Sequence, residues 1–183
     1  MVDDQEVPHQ PFYCEENAWR LLATTTRVAG PAEVVLVANR FGRVACWAQR
    51  AADARELPVL WDYHVVVAEV LPDGARRIWD PDSWLGPIVP AATWLAATFL
   101  DPARVRERFH PRFRLVPRAR WVAELATDRA HMRDRRGRWL KPPPPWEPPG
   151  AGRAPNLFAW LDQDHTDWID RPTLEARWGL ASS

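Results

Sequence analysis

Cys14 in YCEEN, His64 in WDYHVVV and Asp80 in IWD are the residue types of a covalent catalyst. A nucleophilic cysteine needs access to its thiolate, a base that takes and returns a proton, and usually a third group that fixes the base. Cys14 precedes a helical pattern, so the dipole and first N–H groups of that helix favour a thiolate and offer an oxyanion site. Glu15 and Glu16 oppose it, since neighbouring carboxylates disfavour a thiolate, and the sign of the net shift stays open at this level. His64 lies within an apolar strand pattern. A hairpin closing at Pro72-Asp73-Gly74 pairs residues whose numbers sum to about 144 to 146, which sets His64 opposite positions 80–82, where Asp80 stands. A carboxylate there would accept the imidazole N–H and fix its tautomer. A cysteine ahead of a helix is ordinarily a core residue and a His-Asp strand pair ordinarily structural, so the bare spacing leaves both readings standing.

The positioning elements follow from periodicity. Residues 1–12, with Pro8 and Pro11, read as an extended arm, and 13–183 as a single catalytic domain. YCEENAWRLLATTTRVA from Tyr13 has helical spacing with acidic residues in its first turn. EVVLVAN (33–39) and RVACWAQR (43–50) read as strands around the turn-like RFG. LWDYHVVVAEVL (60–71) and ARRIWDPDS (75–83) form the hairpin. On one continuous strand, Trp61 and Trp79 would point away from His64 and Asp80 into the core, while Asp62 would share the face of His64. Asp101-Pro102 reads as a helix start continuing through PARVRERF, and FRLVPRARWVAEL as a strand passing into a helix. Residues 127–155 form a long polar loop whose PPPP is a polyproline II spacer, and NLFAWLDQD and RPTLEARWG read as short helices. The uncharged run Trp84–Leu100 is broken by Gly86, Pro87 and Pro90 and is too short to span a membrane.

Composition bounds the class. With 46% hydrophobic and 26% charged residues the chain should bury a core, and Gly plus Pro at 27 of 183 stays below low complexity. Net charge is +0, but residues 101–141 carry 13 basic and 5 acidic side chains, so that stretch is +8 against −8 elsewhere. Two cysteines, Cys14 and Cys46, lack C-x-x-C spacing, and His9, His110 and His165 have no metal-ligand spacing, which argues against zinc. The acidic start MVDDQEVPHQ is no secretory signal, so free thiols in a reducing cytoplasm are the expectation, with Cys46 as an apolar core residue.

YCEEN, WDYHVVV, IWD, HPRFRLV, TDRAHM, WLKPPPPW and NLFAWL occur in an order that resembles the protein N-terminal glutamine amidohydrolase family over about residues 12–180. The resemblance implies a compact α/β sandwich of the papain-like and transglutaminase-like kind, with a helix-borne cysteine against an antiparallel sheet. It implies a Cys-His-Asp triad at Cys14, His64 and Asp80, and deamidation of an N-terminal Gln side chain to Glu with release of ammonia. Such chemistry runs through a thioester and needs no metal or organic cofactor. The substrates would be proteins or peptides beginning with Gln, feeding degradation signals, and the enzyme a cytoplasmic monomer without nucleic-acid or membrane partners. Cys46 in VACWAQ and the end DHTDWIDRPTLEARWG fit the family pattern only loosely.

A terminus-specific enzyme should offer a carboxylate to the substrate ammonium. Asp62 is the first candidate, with Glu15, Glu16 and Asp128 behind it; Asp128-Arg129 in TDRAHM would rather tie down the loop, and His131 would be structural. The rival readings are an amidase, peptidase or transglutaminase-type enzyme with another substrate, and a non-catalytic Pro- and Trp-rich binding module.

Overall fold

The computed structural model describes residues 7–180. Its element order is α1 (Cys14–Thr24), β1 (Ala32–Ala38), β2 (Val44–Cys46), β3 (Val59–Trp61), β4 (His64–Val70), β5 (Arg76–Trp79), β6 (Ile88–Pro90), α2 (Ala91–Thr98), β7 (Arg112–Pro117), α3 (Arg118–Glu124), α4 (Leu157–Leu161) and α5 (Arg171–Trp178). It is a mixed α/β fold, as expected. Five strands form one antiparallel sheet in the order β6-β5-β4-β1-β7, and β2 pairs with β3 in a separate two-stranded ribbon.

The interior strand β1, AEVVLVA, is apolar on both faces because both faces are covered. Val34, Leu36 and Ala38 join Val65 and Val67 of β4 under α1 and α3, where Leu21, Leu22, Trp121 and Trp160 close the layer. Val35 and Val37 join Val66, Ala68 and Ile78 against α2, α5 and the ribbon, through Trp94, Leu95, Leu174 and Val44. The sheet is therefore the middle of three layers, and each end of a strand is a place where both layers meet.

Several sequence expectations give way: the strands expected over 43–50 and 75–83 end at Cys46 and Trp79, which leaves Gln49 and Asp80 outside them. The strand expected over 60–71 is broken at Asp62-Tyr63, where the Asp62 carboxylate accepts the Tyr63 N–H at 3.0 Å in place of a ladder partner. β3 thus belongs to the ribbon and β4 to the main sheet. The helix expected from Pro102 is only two single 3-10 turns, Pro102–Arg104 and Glu107–Phe109. Pro111 forces His110 into the extended region (φ −67°, ψ 140°), which leaves too few residues for a stable α-helix.

Much of the basic stretch is internal stitching. Arg114 donates to Asp167 Oδ2 and the Trp160 carbonyl, Arg118 to the Val28 and Leu22 carbonyls, and Arg112 to the Trp168 carbonyl. Arg129 makes a forked pair with Glu16 at 2.7 Å for each bond and also holds the Pro144 and Trp146 carbonyls. Trp146 Nε1 donates to the same Glu16, and the Lys141 carbonyl accepts from Tyr13, so the proline-rich loop is a strap across the start of α1.

Candidate active site

Cys14 is the first residue of α1, and the helix begins on Tyr13 without a side-chain cap. The arm in front of it does not extend away. Gln10 N–H donates to Asn17 Oδ1, Asn17 Nδ2 donates back to the Gln10 carbonyl, and His9 Nε2 lies 2.9 Å from Asp82 Oδ1. Residues 7–12 therefore pack beside the cysteine; the remainder of the expected arm, 1–6, lies outside the described residues.

Cys14 and His64 line one cavity of about 110 Å³ together with Phe12, Trp61, Asp62, Tyr63, Asp82, His131 and Met132. His64 opens β4, and its Nε2 is 3.1 Å from Asp80 Oδ1. The register of β4 against β5 pairs Val67 with Trp79, so continuing it would set His64 level with Asp82; Asp80 reaches the ring because the chain turns away after Trp79. Asp80 is fully buried and also accepts from Trp94 Nε1 at 2.9 Å, Gln49 Nε2 at 3.2 Å and the Asp82 N–H at 3.2 Å. With Nε2 donating to Asp80, Nδ1 is the ring nitrogen left to exchange a proton.

Electrostatics set the resting state. Burial first, then the Glu15 and Asp82 carboxylates, push the Cys14 thiol well above its ordinary value, against a hydrogen bond from the Val65 backbone. Burial alone would push the His64 imidazolium down, but the charge and hydrogen bond of Asp80 outweigh it and the ring sits above its ordinary value. Burial would raise Asp80, but His64, Trp94 and Gln49 hold it below the carboxylate range. The cysteine is thus kept as a thiol beside a base whose orientation is fixed.

The other carboxylates divide. Asp62 is exposed at the cavity wall. Glu15 is completely buried behind Cys14, with Oε2 taking the Tyr63 hydroxyl at 3.2 Å and lying 3.8 Å from Cys14 Sγ, while Oε1 has no hydrogen-bond partner. Burial, chiefly, and the charge of Glu16 push its carboxyl up to about 8. Asp128 borders a neighbouring cavity with Leu157 and Phe158, separated from the first by His131. His131 walls both cavities, 3.3 Å from the Tyr63 hydroxyl and 3.8 Å from Glu15 Oε1. Trp61 corrects another expectation: it does not point away from His64 but stacks on its ring at 6.0 Å and 10°, while its partly buried side chain also packs against the core layer on the α2 side. The break at Asp62-Tyr63 resets the alternation between them. Trp79 is in the core, bonded to Glu69.

A roomier apolar cavity of about 240 Å³ lies elsewhere, among Trp47, Phe99, Val105 and Pro172. Its polar side chains are already engaged: His110 with the Val105 carbonyl, Arg171 with Glu175 and the Phe99 carbonyl, and Asp170 with the Thr173 N–H. No group of three or more metal-ligating side chains occurs among the described residues, and no described helix is long and apolar enough to cross a membrane.

The sequence model of the N-terminal glutamine amidase family matches residues 9–179, nearly the whole chain and every residue of the cavity just described. The chain belongs to this family. It is 34% identical to the protein N-terminal glutamine amidohydrolase of Caenorhabditis briggsae over 164 residues, covering 88% of each chain. The protein of the same name from Arabidopsis thaliana is 33% identical over 179 residues, covering 92% of this chain and 80% of the relative. The Homo sapiens protein of that name is 33% identical over 138 residues, covering 73% and 67%. Within this amidase, sequence reasoning passed over Gln49 and Asp82. Asp82 carried a signal, being two residues beyond Asp80 and inside the register window opposite His64; Gln49 carried none, because its place depends on a non-repetitive segment.

Proposed function

We propose that this protein removes the side-chain amide of an N-terminal glutamine on proteins or peptides, using Cys14 as nucleophile, His64 as base and acid, and Asp80 to hold His64. The observation that carries this is the shared cavity: a cysteine at a helix start and an imidazole whose far nitrogen is anchored by a buried carboxylate, in a chain of the N-terminal glutamine amidase family. His64 Nδ1 takes the Cys14 proton as sulfur attacks the γ-carboxamide carbon, since burial disfavours a standing thiolate. Backbone N–H groups at the start of α1, that of Cys14 among them, stabilise the oxyanion. The imidazolium returns its proton to the leaving nitrogen, ammonia departs, and a thioester remains. Water deprotonated by His64 attacks the thioester carbonyl; the C–S bond breaks, the sulfur recovers its proton, and glutamate is left. Asp80 stabilises both imidazolium stages.

The cavity is small enough for one glutamine side chain, and Asp62 at its wall is the candidate for the substrate ammonium. A monomer in a reducing cytoplasm suits an enzyme that depends on a free thiol. Incubation with a Gln-initiated peptide should release ammonia and add about one mass unit to the peptide, the difference between an amide and an acid. Cys14→Ala should abolish the reaction. Equal turnover of an acetylated or internal Gln would overturn the terminal specificity, and ammonia release by Cys14→Ala would overturn the nucleophile.

A further inference from the structure

Gln49 is completely buried, yet it lies outside every strand and helix of the main sheet. Its place is set by backbone lacing. Ala48 adopts φ +55°, its carbonyl accepts the Trp84 N–H at 2.7 Å, Arg50 N–H donates to the Asp82 carbonyl at 2.7 Å, and Gln49 bridges to Ser83. A non-glycine residue in the left-handed region is maintained only where surrounding contacts determine it. The segment after β2 is thus clipped to the segment after β5, which delivers the Gln49 amide beneath Asp80.

That amide has two partners. Nε2 donates to Asp80 Oδ2 at 3.2 Å, and Oε1 accepts the indole N–H of Trp61 at 3.3 Å. These partners hold His64 from perpendicular directions: Asp80 at the edge of the ring through Nε2, and Trp61 on its face at a 10° tilt. We propose that Gln49 is a positioning residue that joins the carboxylate orienting the base to the indole covering it, so that the imidazole has one aim toward Cys14. Only a primary amide carries a donor and an acceptor in one plane at the reach these two partners require. A hydrocarbon there would leave the Trp61 N–H without its acceptor and Asp80 with one donor fewer, and both constraints on the ring would loosen.

This rests on reading Cys14 and His64 as nucleophile and base, so the test has one arm that needs that pair and no amide substrate. Alkylation of Cys14 by iodoacetamide, followed against pH, reports the thiol and its base directly. The groups that shape this profile are Asp80 and Asp82 after β5, Asp62 between β3 and β4, Glu15 in α1, His131 across the cavity, and Cys46 of β2 beside Asp80. In Gln49→Leu the profile should move away from the wild-type one. The kcat for a Gln-initiated peptide should fall at least about tenfold per folded molecule with KM within about twofold, the signature of misaimed reacting groups rather than lost binding. Trp61→Phe keeps a ring on the imidazole but removes the N–H; it should reproduce part of the kcat loss and add nothing to Gln49→Leu in the double variant. A wild-type alkylation profile and kcat in Gln49→Leu, or independent effects in the double variant, would overturn the proposal. If Gln49→Leu fails to fold, wild-type kcat and profile in Trp61→Phe overturn it alone. If the wild-type protein alkylates but releases no ammonia from Gln-initiated peptides, it is the substrate reading that fails, and the alkylation arm still decides on Gln49.

Discussion

Replacing Glu15 with Gln should make the protein more stable at neutral pH, by an amount that grows with pH. Glu15 is entirely buried, its Oε1 accepts no hydrogen bond and lies 3.8 Å from His131 Nε2, and its carboxyl is pushed up to about 8 from 4.5. Burial is the leading cause and Glu16 adds to it, while bonds from its own backbone N–H, Tyr63 and Cys14 only partly compensate. The pKa is raised on folding, so the sign is fixed: the contribution is fully present below about pH 4.5 and is lost as pH rises toward 8, because the unfolded chain ionises while the folded one must hold its proton. Neutral pH lies about 2.5 units above the unfolded value, and each unit is worth about 1.4 kcal/mol, so the penalty at pH 7 is about 3 kcal/mol.

Gln carries no such penalty and presents a neutral group of nearly the same shape to Tyr63 and Cys14. Urea unfolding of wild type and Glu15→Gln at pH 5, 6, 7 and 8 should give a stability difference that is small at pH 5 and widens by about 1 kcal/mol per unit. A difference that does not change with pH would refute the protonated carboxyl. The same variant separates two roles. A proton-bearing Glu15 cannot anchor an ammonium at pH 7, so KM for a Gln-initiated peptide should stay near wild type in Glu15→Gln. It should rise in Asp62→Asn; the reverse pattern would move the amine site behind Cys14.

Asp80→Asn removes the charge that holds the His64 ring above its ordinary value, so the acid limb of kcat/KM should move to lower pH while kcat falls by orders of magnitude; an unmoved limb would show that another group sets it. Arg129→Met leaves the buried Glu16 without its forked partner and frees the proline-rich strap, which should cost about 3–5 kcal/mol in urea unfolding; a loss below about 1 kcal/mol would mean that Glu16 is neutral or solvated without it. Gly30→Ala drives a Cβ into the Val70 carbonyl oxygen, a backbone atom held where Val70 bonds to Pro31, and should destabilise by about 1–3 kcal/mol by thermal unfolding, against near neutrality if the turn can shift.

The pair of His64 and Asp80 was legible in part: the turn at Pro72-Asp73-Gly74 limits the residues facing His64 to a short window, but the register itself points to Asp82, and Asp80 meets the ring only because the chain leaves the ladder after Trp79. The helix from Cys14 was legible for a similar reason, since apolar spacing and acidic first-turn residues are local properties of α1. Trp61 was not, because alternation holds only along an unbroken strand. Asp62 captures one N–H and ends the alternation there, so that β3 pairs with β2 in the ribbon and Trp61 comes to stack on His64. Gln49 was hidden more deeply, since no periodicity reaches a segment whose path is dictated by Ala48 at positive φ and by bonds to residues about 35 positions away. The basic stretch shows the converse. Charge in a sequence reads as surface, yet Arg114, Arg118 and Arg129 direct their guanidinium groups to main-chain carbonyls and buried or loop carboxylates, at the ends of α1 and α4 and in the loops that follow α1 and α3, where the backbone lacks ladder or helix partners. Trp61 closes β3 and Gln49 lies beyond β2, so the residues hardest to foresee sit where strands end, and the segments that follow bring Gln49, Asp62, Asp80, Asp82 and His131 around a cysteine and a histidine that regular elements had already set in place.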